Sequence, residues 1–402
     1  MTGGDETRRE VPDSFSAAFG FPPVPRRILF AAMTMRTGGA ETHILTLASE
    51  LVRRGHSVTV ASDGGELEDE LRSAGVGVEH IPLNRKEAFS VVRTRRQLEA
   101  LLRRESFDVI HAHARIPAFV CGRVARRHRI PFVTTVHSPF RVTPLLRRVT
   151  DWGERVLAVS PDLAAYITTQ YGFDPAYVTL TVNGVDPVCF SPAGAGEREA
   201  LCRKLGLRAD VRRVICVSRI DPDADTMPLM LAQIAPDLVR AVPDAEILIV
   251  GDGSDMNTLR ILAEQANRVT GREAVRLAGS TVSVADYLRI SDCFAGVSRS
   301  ALEAMACGLP AVLGGNGGYL GIFGAESRPL ARKTNFCCRY CPPLLAFPLL
   351  RDLCAELAMS AAERQEQAEY NREVVLSDYS VGRMADDCEA VYSAVAAEHV
   401  GR

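Results

Sequence analysis

Lysine is almost missing from this 402-residue chain: three of its 47 basic side chains are lysines and the rest are arginines. A long apolar run is also missing. Nothing approaches the roughly 18 consecutive apolar residues of a membrane-spanning helix, which argues against an integral helical membrane protein. Aromatic residues make up 6% of the chain, with one tryptophan, and no aromatic platform is interleaved with the basic residues. That speaks against a nucleic-acid partner, whose bases would stack on such a platform. The eleven cysteines follow no regular spacing, and the first residues show neither secretory nor transit-peptide character. Free thiols in a reducing cytoplasm are therefore expected. Cys337, Cys338 and Cys341 form the one thiol cluster, short of the four paired ligands of a closed zinc site. A strong net charge is missing too: the formal total is −2.

What is present is an ordinary globular composition, 47% hydrophobic and 24% charged, in a chain long enough for two or three domains. Residues 1–25 read as a mobile tail. Short β-branched runs then alternate with helical periodicity: 27–32, 57–61, 108–112, 132–136, 155–159 and 178–182. Such alternation implies right-handed crossovers and a parallel sheet covered on both faces. A turn-rich stretch at 183–196 interrupts the pattern, which restarts at 213–218, 246–253, 275–279, 292–296 and 310–314. The expected fold is α/β, with two doubly wound units at 26–190 and 191–370 facing a central cleft. A C-terminal helix, 371–402, is expected to pack back on the first unit.

Gly38 and Gly39 fall where the first strand turns into a helix. Glycines there let a ligand approach the backbone, and free N–H groups at the helix start attract anions; a ligand-free tight turn is the alternative. Neither that turn nor Gly251-Asp252-Gly253 completes a dinucleotide fingerprint, and no phosphate loop with Gly-Lys-Ser/Thr is present. His137 follows a strand, where a parallel sheet presents its ligands. His111 and His113 share one strand face by the period of two, but the sequence shows no third ligand for a metal. Ser160, before Pro161 and Asp162, reads as a helix cap.

The motifs GGAETHILTLASELVRRGHSVTVAS (38–62), FDVIHAH (107–113), PFVTTVHSPF (131–140), VLAVS (156–160), VNGVDPVCFSP (182–192), VSRI (217–220), PDAEILIVGDGSD (243–255) and ALEAMACGLPAV (301–312) occur in that order. In combination they resemble the family 4 retaining glycosyltransferases of the GT-B fold over roughly residues 27–320. The resemblance implies transfer of a sugar from a nucleotide-sugar, a UDP-sugar or GDP-sugar, with no cofactor and no metal. It implies that Gly38, Gly39 and Arg219 hold the diphosphate, that Glu303 holds the ribose hydroxyls, and that His137 lies near the donor sugar. His137, Arg219 and Gly39 are thus the expected catalytic set. Gly251 and Gly253 fall in a matching motif and join the expected donor-binding residues. Gly317-Gly318-Tyr319 resembles the family's donor-binding loop, with a plain glycine-rich turn as the alternative.

Two charges usual in the family are missing: Ala224 stands where a lysine is common, and Ala295 where the first glutamate of Glu-x7-Glu would fall. Some members from Gram-positive bacteria resemble this chain in SRIDPD, GVSRSALEAMACGLP, GGNGGYLGIF and NFCCRYC, which suggests a divergent subfamily. Arg299, just before the helix of Glu303, is the candidate for the missing cation.

The near-zero net charge conceals a basic segment. Residues 85–148 hold 14 arginines and Lys86 against four acidic residues, a net of +11. In the acceptor-binding half, such a segment suggests attraction to anionic lipid headgroups or an arginine-rich solvated surface. The expected function is transfer to a glycan or lipid-linked acceptor in cell-surface polysaccharide or glycolipid synthesis, in the cytoplasm and peripheral on the membrane's inner face. The alternatives are a non-catalytic nucleotide-sugar-binding regulator and a sugar-nucleotide epimerase.

Overall fold

A computed structural model describes residues 24–400, apart from 86, 195 and 222–225. Most of the expected tail at 1–25 lies outside the described residues, and so does Ala224.

The first unit alternates strands β1 (Arg27–Ala31), β2 (Ser57–Ser62), β3 (Gly77–His80), β4 (Val109–Ala112), β5 (Phe132–Val136), β6 (Arg155–Ala158) and β7 (Val178–Leu180) with helices α1 (Gly39–Arg53), α2 (Glu68–Ser73), α3 (Ala88–Arg104), α4 (Arg115–His128), α5 (Pro144–Val149) and α6 (Pro161–Tyr171). All seven strands are parallel, in the order β3-β2-β1-β4-β5-β6-β7. β4 and β5 are buried at every residue, because helices cover both faces of the sheet.

The second unit holds α7 (Glu197–Leu205), β8 (Arg212–Val217), α8 (Met227–Ala241), β9 (Ala245–Val250), α9 (Met256–Thr270), β10 (Val275–Gly279), α10 (Val284–Arg289), β11 (Cys293–Gly296), α11 (Ser298–Ala306), β12 (Ala311–Gly315), β13 (Gly318–Ile322), α12 (Arg328–Lys333) and α13 (Ala346–Ala358). Its sheet runs β10-β9-β8-β11-β12-β13. β13 departs from the expected all-parallel arrangement: it pairs antiparallel with β12. Only Asn316 and Gly317 separate the two strands, and a parallel return needs a crossover of a dozen residues or more.

Two helices complete the chain, α14 (Ala361–Asp378) and α15 (Val381–Val400). α14 packs on α11, whereas α15 lies against α1, β6 and β7 of the first unit. The return comes at Tyr379–Val381, later than the expected residue 371. There Val185 N–H donates to the Tyr379 carbonyl (2.8 Å) and Val381 N–H donates to the Val185 carbonyl (3.0 Å). α15 is bound by polar contacts as well as packing. Arg54 meets Asp386 (2.6 Å) and Glu389 (2.7 Å), and His399 meets Glu154 (2.8 Å).

Each sheet reverses direction beside its central strand, between β1 and β4 in the first and between β8 and β11 in the second. Open α/β sheets bind ligands outside the strand ends at such reversals. Gly38 and Gly39 follow β1, Arg219 follows β8, and Arg299 and Glu303 lie on α11 after β11, at these two places; His137 follows β5, Gly251 and Gly253 follow β9, and Gly317, Gly318 and Tyr319 belong to the β12–β13 hairpin.

Candidate active site

The loop after β1 ends in Gly38, which caps α1 in an extended conformation and offers no side-chain cap. A Cβ on Gly39 would meet nothing within 4 Å, so the surface at this helix start is open. The opening has an occupant nearby: Glu41, in the first turn, folds back until its Oε2 lies 2.5 Å from where a Gly38 Cβ would be. Its carboxylate accepts a hydrogen bond from its own backbone N–H and feels the positive charge of Arg219 across the cleft, yet burial dominates and raises its pKa. A carboxylate here answers the positive end of the α1 dipole as an incoming phosphate would. Glu41 escaped the sequence reading, which treated the glycines alone.

Arg219 extends from the end of β8, 65% exposed, with Asp221 at 3.8 Å as its ion-pair partner. Gly251 and Gly253, expected at the donor, lie packed against this loop. A Cβ on Gly251 (φ +143°) would come within 1.9 Å of the Ser218 carbonyl oxygen, and one on Gly253 within 2.2 Å of the Ile220 carbonyl oxygen. These glycines let the β9 turn press against the backbone that carries Arg219.

Arg299 and Glu303 are buried on α11 and bonded one turn apart, Arg299 Nε donating to Glu303 Oε1 (2.8 Å). Burial raises the Glu303 pKa against the opposing pull of Arg299. A second Arg299 nitrogen reaches the first unit and donates to Thr46 Oγ1 of α1 (2.8 Å), while its third, Nη1, is buried without a partner. Arg299 thus holds Glu303 and bridges the two units. Ser298, at the helix start, has φ +63°, and its N–H donates to the Phe336 carbonyl (2.8 Å).

The expected donor loop at Gly317-Gly318-Tyr319 is the β12–β13 hairpin turn and the start of β13. The thiol-rich segment covers it: a Cβ on Gly317 would lie 2.2 Å from the Cys337 carbonyl oxygen, and one on Gly318 2.6 Å from that of Cys341. Tyr319 donates its hydroxyl proton to Asp352 of α13 (2.7 Å), and burial and that carboxylate raise its pKa. The two glycines are required by the chain lying on them, and Tyr319 is engaged within the second unit.

The largest gap in the sequence reading is histidine. His113 was expected to lack further metal-ligating neighbours, yet His43 of α1 and His137 after β5 converge on it. One nitrogen from each of the three lies within 4.8 Å of the others. His111 stacks on His113 at 4.1 Å between ring centroids, but both its nitrogens are occupied, by Tyr392 Oη of α15 and Thr135 Oγ1, each at 2.7 Å. Burial, with the positive charge of Arg299, pushes His137 down to about 4, and burial holds His43 and His113 well below the usual imidazole value.

A further contact joins the two units at the cleft mouth. Arg339, within the thiol-rich segment, donates from Nε to Asp162 Oδ2 of α6 (2.6 Å) and from Nη2 to Asp162 Oδ1 (3.0 Å). Ser160 precedes α6 at its cap position, as expected, but makes no side-chain bond to the helix backbone. Beside this clasp lies a 640 Å³ hollow lined by Phe140, Tyr166 and Tyr340, among others.

The family described as Glycosyltransferase Family 4 matches residues 37–188, and that described as Glycosyl transferases group 1 matches residues 211–326. The D-inositol 3-phosphate glycosyltransferase of Gordonia bronchialis is 27% identical over 423 residues, covering 89% of each chain. That of Kineococcus radiotolerans is 26% identical over 324 residues, covering 70% of this chain and 74% of its own. Among solved structures, a glycosyltransferase from Rickettsia africae superimposes with a TM-score of 0.70 at 17% identity, covering 92% of this chain and 98% of that one. Anabaena Alr3699/HepE in complex with UDP gives 0.69 at 18% identity, covering 92% and 100%. With one family match on each side of the cleft and two Rossmann-like units facing it, the chain belongs to the family 4 glycosyltransferases of the GT-B fold.

Proposed function

We propose that this protein is a retaining glycosyltransferase that takes a sugar from a nucleoside diphosphate donor bound between the α1 helix start and Arg219. One observation carries the reading: the α1 start and the loops after β8 and β11 come together, with Arg299 donating to Thr46 of α1 and the charge of Arg219 acting on Glu41. Negative charge develops on the leaving diphosphate as the glycosidic bond breaks, and preorganised donors aimed at that charge lower the barrier. The backbone N–H groups at Gly38 and Gly39 supply them from one side and Arg219 from the other, so the transfer step itself needs no metal. Glu303 accepts hydrogen bonds from the ribose hydroxyls, held for that purpose by Arg299. His137 stands beside the donor sugar. Glu41 must leave the helix start when the diphosphate arrives, and its raised pKa eases that exchange.

The donor is a UDP-sugar or a GDP-sugar. Anabaena Alr3699/HepE, of the same fold, was solved with UDP and with UDP-glucose, which favours the uridine nucleotide. The acceptor is a glycan or a lipid-linked molecule of cell-surface polysaccharide or glycolipid synthesis. On α3, Arg93 and Arg96 are exposed beside Phe89 and Val92, and on α4 Arg123 is exposed near Phe119. None of these three arginines makes an ion pair among the described residues. Basic side chains beside exposed apolar ones suit an anionic bilayer surface, each charge contributing about 1 kcal/mol there. No described helix is long and apolar enough to cross a membrane.

Incubation with a panel of nucleotide-sugars, in the presence and absence of anionic liposomes, tests both parts. The expected result is nucleoside diphosphate release from one donor class and salt-sensitive co-flotation with the liposomes. Isomerised sugar without release would identify an epimerase, and binding without turnover a regulator.

A further inference from the structure

The geometry points to a transition-metal site of the zinc class at the floor of the cleft, formed by His43, His113 and His137. It lies outside the diphosphate-binding chemistry proposed above, and of its three ligands only His137 also has a place in that proposal, beside the donor sugar.

Three observations converge. His43 and His113 are 0% and 2% exposed, and among the described residues His43 Nε2 and both nitrogens of His113 have no hydrogen-bond partner, nor does Nε2 of the half-buried His137. An unpaired buried polar nitrogen is costly, and a fold seldom carries several in one place without a ligand to satisfy them. The second observation is distance. Three atoms no more than 4.8 Å apart leave a point within about 2.8 Å of each. Zinc–nitrogen bonds of about 2.0–2.1 Å then require each ring to move inward by roughly 0.7 Å, within reach of a small side-chain rotation. The third is a partner behind a ligand. His43 Nδ1 lies 3.0 Å from Asn183 Oδ1, an atom that can only accept, so Nδ1 carries the proton and the lone pair is left on Nε2, the nitrogen without a partner. Metal-bound histidines are held by such an outer hydrogen bond.

His111 marks the edge of the site. It stacks on His113, but Tyr392 and Thr135 occupy both its nitrogens, so the cluster offers three ligands and not four. His137, the half-buried member, is the side on which the cluster is open to solvent. The guanidinium of Arg299 also faces these rings, but its charge is offset by Glu303 at 2.8 Å. Three neutral nitrogens without a carboxylate favour zinc, cobalt or nickel over magnesium or calcium, which prefer oxygen. One consequence rests on the transferase reading: zinc would claim the lone pair of His137 and compete with the donor sugar, so added zinc lowers turnover.

The experiment is a titration of the chelator-stripped full chain with Zn²⁺ against a competing chromophoric chelator, without any nucleotide-sugar, so its outcome is independent of whether the protein transfers sugar. One equivalent is expected to bind, with at least a tenfold loss of affinity in His43→Ala and in His113→Ala and a smaller loss in Asn183→Ala. Should the histidine variants fail to fold, Co²⁺ added to the unmodified chain reads the same site. It should give visible bands of tetrahedral nitrogen coordination without thiolate charge transfer. The proposal is overturned by the lack of stoichiometric binding, by unchanged affinity in the folded variants, or by a thiolate band that places the metal on Cys337, Cys338 and Cys341.

Discussion

At the residue scale the site is a contest for one positive helix end. Glu41 folds back over the start of α1, and on the proposed function donor binding exchanges its carboxylate for the diphosphate. Glu41→Gln removes the competing charge but keeps the shape. UDP or GDP affinity, measured by calorimetry, should rise about threefold to tenfold, or roughly 1 kcal/mol. An unchanged affinity would mean that Glu41 swings clear at no cost. None of this was legible before folding. Gly38, Gly39, His137, Arg219 and Glu303 could be picked out because each sits in a local motif. Glu41 and His43 could not, since their significance comes from Arg219, His113 and His137, which are brought to them only when distant strand ends align. Arg299 shows the same limit: its bonds to Glu303 and to Thr46 of the other unit are not readable from its place before the helix of Glu303.

At the scale of elements, glycines of similar appearance in the sequence have different duties. A side chain at Gly39 meets open space, whereas one at Gly251 meets the Ser218 carbonyl at 1.9 Å in a left-handed backbone conformation. Gly39→Ala should therefore melt within a degree or two of the unmodified protein, and Gly251→Ala should lose about 3 kcal/mol or more. Thermal unfolding of the two variants side by side decides it. The strand and helix alternation was readable from period and punctuation, but β13 was not. The sequence Asn316-Gly317-Gly318-Tyr319 reads as a loop, and its antiparallel pairing with β12 emerges only in the fold.

α13 carries a buried acid that makes stability depend on pH. Glu356 has no exposed surface, and burial raises its carboxyl from an ordinary 4.5 to about 7. The folded state therefore holds a proton that the unfolded chain has already released, so stability falls as pH rises from about 4.5 to 7. Glu356→Gln should be more stable than the unmodified protein by about 2 kcal/mol at pH 8, with the advantage fading toward pH 4.5. Urea unfolding at the two pH values measures it.

At the scale of the whole molecule, two kinds of connection hold the halves in place. The chain crosses twice at one point, where Val185 pairs with Ser380, and α15 then ties itself to the first unit. Across the cleft mouth the halves meet through Arg339 and Asp162, both largely buried. Asp162→Asn should weaken that clasp and enlarge the radius of gyration in small-angle scattering, and a bound nucleotide should restore the smaller value. The −2 net charge said nothing of this scale. The basic residues of 85–148 lie on one unit, and what they offer a partner depends on which of them the fold leaves without carboxylates.

The central claim is that both units contribute to one donor diphosphate site. Calorimetric titration of UDP and GDP into the unmodified protein, Gly39→Ala and Arg219→Ala tests it most directly, since these changes lie on opposite sides of the cleft and neither residue is buried in a core. The account predicts that one nucleotide binds and that each substitution weakens it at least tenfold, about 1.4 kcal/mol. Equal affinity in all three proteins would contradict it.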